Sequence, residues 1–578
     1  MTMIYEGVFE RTLDQLVALY AESRGSRIEA WTFDDEPSRR AAEFKLAALG
    51  VEARFRSAYK PLIHFFLEEV DIGSLVAIHV VHPTHPTCHV DRFRIEAYPL
   101  AALVGDVTLT FEAGTQDELF YQVKLRQKDG NTSVHSVFAP NRLHVDFVGI
   151  SHVSPTGWIR IGDIEPGERL QTDYEALFET AVHAVAAYEW GGEEPYFEEL
   201  NIAVALPSND RKLMVGEETI SLREAMHEDL YFSILEVFHK RSGLQLRDWR
   251  GQPGQIVPEI RYTDAAPALR IETRLLTQTE AECESATLKH AEAPISAEQV
   301  RAELFEIGGE AFEACSRSGR RVMARYRKGT DRAVMISSGR HANETTGIVG
   351  ALRAARELAT RPHAHFVVSP LENPDGYQIH WRLRTDNPCH LHHAARYTAL
   401  GDDLAKRTTE PLFEKAIRKE AERLSAAKLH LDLHGYPSHE WTQPLSGYLP
   451  QAFGKWAIPM GFCLLLYHHS AWADTAQHLI DRVTERLARL PGLLDRNAAQ
   501  IELFESHCGE TDLQMINGIP CLVSADAHTQ SVPMVFVSEY PDETIYGRAF
   551  NDAHDVQTEF VLAAYDAYQE IQCDLELS

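Results

Sequence analysis

The sequence predicts an α/β protein, with an α/β/α sandwich around a mixed central sheet in the C-terminal half and one or two α+β domains before it. Three observations carry this. Beyond residue 296, short apolar runs alternate with longer amphipathic stretches, the order of strands buried between helices. Before it, helical patterns mix with short alternating runs of strand type. Between the two lies Lys289–Ile295 (KHAEAPI), polar with one proline, which reads as a linker.

In chain order, Leu13–Ser23 and Glu36–Leu49 carry apolar residues at helical spacing. From about Arg92 to Ile161 the pattern turns to short alternating runs such as DVTLTFEAG, with Lys128-Asp129-Gly130-Asn131 as a hairpin turn. Asp173–Tyr188 reads as a helix, and Asn201–Ala205 with Lys212–Val215 as a hairpin around Pro207–Asp210. Ser221–Arg241 is a second long amphipathic helix. These elements divide into regions 1–165 and 166–292, with continuity between them left open, followed by a domain over 296–578.

That domain opens on Ser296-x-x-Gln299, a capping box, with a helix expected to run to about Ser318. Strands follow at Ala333–Ser338, His365–Ser369, Leu429–Leu433 and Val535–Ser538. Helices are expected at Glu344–Thr360, Pro411–Lys428, Thr475–Leu490 and Val556–Ile571. In such a fold functional groups collect at the carboxyl ends of the strands.

Composition narrows the function. The 578 residues hold 85 acidic against 56 basic side chains, a net charge of −29, with 44% hydrophobic and 24% charged residues. This is a globular composition, and the charge argues against nucleic acid or anionic lipid as the main partner. The 8 cysteines include no C-x-x-C pair, so a zinc ribbon or a thioredoxin-type motif is excluded and a reducing compartment is expected. The N-terminus lacks a signal-peptide pattern, and the longest apolar stretch, near Met460–Tyr467, is far short of a membrane span. A cytoplasmic protein is expected, with homo-oligomerisation left open.

Three segments carry chemistry. In AVMISSGRHANETTG, His341 and Glu344 stand three apart where a strand gives way to a helix, so both can face one point. In KLHLDLHGYPSHEW, His430, Asp432 and His434 alternate onto one strand face, and His434 ends the apolar run before Gly435. Asp432 and His430 are candidates for fixing a ligand imidazole from behind. In VPMVFVSEYPDETIYG, Glu539 arrives at a strand end, partly desolvated and so suited to general-base work.

Together with Asn373-Pro374-Asp375-Gly376, these segments resemble the zinc carboxypeptidase family of metallopeptidases over roughly residues 300–575, in the family's order. The resemblance implies one zinc ion per chain, held by His341, Glu344 and His434, with an open position for water. It implies Glu539 as the base that deprotonates that water and passes the proton to the leaving amine. For the oxyanion donor downstream of N-P-D-G the candidates are Arg382 and Arg384, with Arg384 preferred. Arg396 stands where the family grips the substrate carboxylate, though without the preceding asparagine, and Arg382 is the second substrate-binding candidate. The family's mobile tyrosine has no counterpart between Cys508 and Pro533, so that role is either vacant or filled from elsewhere, with Tyr540 and Tyr546 as candidates.

The expected substrate is a peptide or acyl-amino acid, cleaved near a free carboxylate. The interval of 90 residues from Glu344 to His434 is also similar to the aspartoacylase and succinylglutamate desuccinylase branch, which cleaves N-acyl amino acids. A third reading is a catalytically inactive zinc-binding or interaction module, against which the intact set with Glu539 counts. His82–His89 reads as a polar loop and His227-Glu228-Asp229 as a solvated helix face. His390, His392 and His393 are candidates to line the cleft. Cys389 and Cys521 lack a positioned base, and Asp526 and His528 hint at a pocket for a basic side chain.

Overall fold

Buried apolar strands between residues 310 and 543 pair into a nine-stranded mixed sheet, the centre of the C-terminal half. The structure is a computed structural model, and it describes residues 1–115, 119–146, 149–162, 167–244, 250–276, 286–447, 457–525 and 531–571. The sheet runs Glu310–Cys315, Arg321–Arg327, Phe366–Ser369, Val334–Ser338, Leu429–Pro437, Met534–Glu543, Cys463–His468, Ile519–Ala525 and Gln514–Ile516. Its central strands, Val334–Ser338, Leu429–Pro437 and Met534–Glu543, are parallel neighbours. Helices Thr346–Ala359, Ala473–Leu487 and Arg548–Glu570 cover one face through Ile348, Leu479 and Phe560. The other face packs on the helix Ala416–Ser425 through Ala421 against Met335 and Val535. The expected α/β/α layering is therefore present.

Among the described residues, the first half holds three four-stranded sheets. Thr2–Val8 pairs with Ala268–Arg274, so regions 1–165 and 166–292 share a sheet. Several sequence expectations are corrected. The hairpin of Asn201–Ala205 with Lys212–Val215 does not form: Glu199–Leu206 is a buried central strand, taken by Gln255–Tyr262 and Ala268–Arg274, and Arg211–Lys212 pairs with Thr219–Ile220 instead. The helix from Ser296 ends at Ile307, where Gly308 and Gly309 at φ +72° and +81° turn the chain into an antiparallel strand pair. Short helices replace strands at Arg92–Glu96 and Leu100–Val104.

The largest correction concerns the helix Leu222–Arg241. His227, Glu228 and Asp229 are 3%, 0% and 0% exposed, because this helix lies between the N-terminal core and the loops that flank the C-terminal strand ends. Its acids bind those loops. Glu224 accepts the Leu391 amide at 2.9 Å and faces His439 at 2.7 Å. Asp229 accepts the Leu445 and Ser446 amides at 3.0 and 2.8 Å. One apolar cluster runs from Ile202 and Phe238 to Leu391, Trp441 and Leu445, joining the two halves. No helix among the described residues is long and apolar enough to cross a membrane.

Candidate metal centre

Parallel pairing brings three strand ends to one place. Val334–Ser338 ends at Gly339, whose φ of +61° turns the chain under Pro370 and Leu371, and His341 and Glu344 follow before the helix Thr346–Ala359. The neighbouring strand Leu429–Pro437 delivers His434. His341, Glu344 and His434 are buried, at 5%, 2% and 2% exposure, and each turns a ligand atom to the others, all within 4.8 Å.

The geometry is convergent. His341 Nδ1 lies 2.7 Å from Glu344 Oε1, and His434 Nδ1 lies 2.7 Å from Glu344 Oε2. Arg396 donates to Oε1 at 2.7 Å and the Gly435 amide to Oε2 at 3.1 Å. Behind the imidazoles stand two more acids: Asp403 is 3.7 Å from His341 Nε2, and Asp432 is 3.4 Å from His434 Nε2. Each ring thus shows its Nδ1 to the centre and its Nε2 to an outer carboxylate, the arrangement that leaves Nδ1 free as a ligand. Two imidazoles and one carboxylate make a donor set that fits zinc.

Electrostatics agree with that set. Burial opposes the Glu344 anion, but His341, His434 and Arg396 outweigh it and hold the carboxyl well below its usual range. Burial and Arg340 work against a charged His434, yet Asp432 and Glu344 prevail and raise it to about 9. Burial and Arg396 push His341 down. Asp432 is itself fixed by Ser337 at 2.8 Å, Arg340 at 3.0 Å and Arg418 at 3.1 Å. His430 shares the same Ser337 hydroxyl at 2.7 Å.

Glu539 is the direct lateral neighbour of His434 on the adjoining parallel strand. Among the described residues its carboxylate takes no hydrogen bond. Burial, reinforced by Glu344, pushes it up to about 8 against the pull of His434, Arg396 and Arg340. A base held in this way at the edge of a metal site can accept and release a proton near neutrality.

Of the three arginines near the centre, Arg396, Arg340 and Arg418, sequence reasoning named only Arg396. Arg396 is at the centre; Arg340, next to His341, was missed although its position pointed to it. Arg382 lies elsewhere, bonded to Glu199 at 2.8 and 3.1 Å and to Glu259 at 2.7 Å. Arg384 stacks over Trp381 at 4.6 Å and Tyr546 at 5.4 Å, with no bond to the His–Glu–His group. Arg418 completes the set behind Asp432. Asp403, Asp542 and Glu543 were also missed. Asn373 of the N-P-D-G run caps the helix Pro374–Asp386, accepting the Gly376 amide at 2.9 Å, and its amide donates to the Arg396 and Tyr397 carbonyls. That tetrapeptide therefore anchors the segment that carries Arg396.

Neither tyrosine candidate joins the centre. Tyr540 follows Glu539 and turns to the opposite strand face, where its ring meets Phe462 at 5.9 Å. The Tyr546 hydroxyl donates to the Pro388 carbonyl at 2.8 Å. His390 faces Asp210 at 2.8 Å and His393 faces Glu228 at 2.5 Å, so both are held by the N-terminal half. Asp526 and His528 lie outside the described residues.

No family model and no curated protein matches the sequence. Solved structures do align. Carboxypeptidase A from Helicoverpa armigera is 12% identical, over 53% of this chain and 90% of that one, at a TM-score of 0.31. A metallo-carboxypeptidase from Burkholderia cenocepacia is 12% identical, over 53% of this chain and 73% of that one, at 0.28.

Proposed function

We propose that this protein is a zinc-dependent hydrolase that cleaves a peptide or amide bond near a free carboxylate. The carrying observation is the buried His341–Glu344–His434 set with Glu539 beside His434 on the next strand. The sequence resemblance to zinc carboxypeptidases supports the same reading.

His341, Glu344 and His434 would hold a zinc ion, which would supply Lewis acidity and a water acidic enough to be deprotonated at neutral pH. Glu539 takes the proton from the attacking water and returns it to the leaving nitrogen. Arg396, whose guanidinium already lies 2.7 Å from Glu344, offers a fixed cation for a substrate carboxylate or for charge on the carbonyl oxygen. Asp403 and Asp432 place negative charge 3.7 and 3.4 Å behind the two imidazoles, on the side away from each Nδ1. The 387–402 loop, which carries Arg396, is held by the N-terminal half through Glu224 and the Leu391 amide.

The second reading, a small N-acyl amino acid as the substrate, rests on the interval of 90 residues from Glu344 to His434. Zinc content decides the first question. About one zinc per chain is expected in the wild type, and none in His341→Ala or His434→Ala. A well-folded wild type that takes up no zinc on reconstitution would end the catalytic reading. A panel of peptides and N-acyl amino acids then separates the two branches.

A further inference from the structure

The strand that carries Glu539 ends on Asp542, Glu543 and Thr544, and these residues bind the turn that carries Glu344. Asp542 Oδ2 accepts the Thr346 amide at 3.0 Å and the Thr346 hydroxyl at 2.5 Å, capping the helix that begins there. Glu543 Oε2 accepts the Asn343 side-chain amide at 2.7 Å. The residues gripped are 343 and 346, on either side of Glu344, and both acids are almost fully buried.

The same exit also touches the strand of His434. A Cβ on Gly435 would lie 1.9 Å from Asp542 Oδ1, so Asp542 reaches the helix start only because the residue after His434 is glycine. The Ser438 hydroxyl donates to the Glu543 carbonyl at 2.6 Å. Thr544 sits at φ +76°, a strained conformation for a β-branched residue, and is held there by Ser438 at 3.0 Å and His439 at 3.2 Å. His439 in turn faces Glu224 of the N-terminal half at 2.7 Å.

We propose that Asp542 and Glu543 are positioning residues for the metal centre, locking the Asn343–Thr346 turn to the strand of Glu539 and against Gly435. They set where Glu344 stands relative to His434. This rests on the reading of His341, Glu344 and His434 as metal ligands. Neither acid is offered as a ligand or base. Asp542 spends Oδ2 on Thr346, and Glu543 spends Oε2 on Asn343.

The test is cobalt binding by the full-length chain, read as a dissociation constant and as the visible ligand-field spectrum. Glu543→Ala and Asn343→Ala are each expected to weaken cobalt roughly tenfold to hundredfold and to alter the spectrum, with the double variant no worse than either single. Gly435→Ala is expected to weaken it similarly, and to cost nothing further in an Asp542→Ala background. If Asp542→Ala does not fold, the Asn343–Glu543 cycle decides the proposal by itself. Folded Glu543→Ala and Asn343→Ala proteins with wild-type affinity and spectrum would overturn the proposal. Additive losses in that pair would overturn it too. A wild type that binds no cobalt would instead bring down the metal-site reading, and this inference with it.

Discussion

His434 and Glu539 are lateral neighbours on adjacent parallel strands, so one sheet fixes the distance between a candidate ligand and the candidate base. That placement separates metal binding from proton transfer. Glu539→Gln should keep its zinc and lose activity by roughly 10²- to 10⁴-fold, nearly all of it in kcat. The check is steady-state kinetics beside metal analysis. Unchanged kcat would assign the proton to another group.

Metal uptake should release a proton. His434 stands at about 9, so at pH 7 it is charged, and a metal can take Nδ1 only as the proton leaves. Zinc affinity should then rise about tenfold per pH unit through neutrality and level off near 9. Calorimetry in buffers of different ionisation enthalpy counts the protons. No release at pH 7 would show that the ring is already neutral.

His507 joins the halves as a neutral ring. Its Nε2 accepts the Ala101 amide at 3.3 Å, so Nδ1 carries the hydrogen that reaches the Arg94 carbonyl at 3.0 Å. Burial, with Lys60 and Arg94 adding, lowers it to about 3. A histidine depressed in the folded state gives stability that is complete above about 6.5 and is lost as pH falls towards 3, at about 1.4 kcal/mol per pH unit. The stability gap between wild type and His507→Gln should therefore shrink from pH 7 to pH 5. Urea unfolding at several pH values measures it, and a constant gap would contradict the neutral ring.

Residues 286–578 alone should aggregate. Leu391, Trp441 and Leu445 belong to the apolar cluster of the N-terminal half, and the amides of Leu391, Leu445 and Ser446 have their acceptors there. Without the first half, this apolar surface is open to water and favours association between chains. Supplying residues 1–285 as a separate chain should restore solubility and zinc uptake. A soluble C-terminal half with full activity would show the first half to be dispensable.

The strand ends were legible because each apolar run stopped at a residue with chemistry: Ser338 before His341, Leu433 before His434, Ser538 before Glu539. Asp432 and His430 were legible through their alternation with His434. Asp403 was not, since it lies in a loop whose path depends on Asp402 and Arg407 packing at 2.6 Å. Asp542 and Glu543 were not legible either, since their partners Thr346 and Asn343 lie about 200 residues earlier in the chain. Glu228 and Asp229 were misread because their partners, His393, Leu445 and Ser446, lie far along the chain. Helical spacing reports an apolar face, and here the polar face is buried as well.

The wide separation between those partners has a consequence for synthesis. Asp229 meets Leu445 and Ser446 across 216 and 217 residues. At about 5–20 residues per second, the helix Leu222–Arg241 leaves the ribosome roughly 10–40 s before the loops that cover it. During that interval its acids face water and the neighbouring apolar surface is open. The nascent chain is most exposed to misassembly then, and a chaperone that shields the first half until translation ends would have most to do in that window.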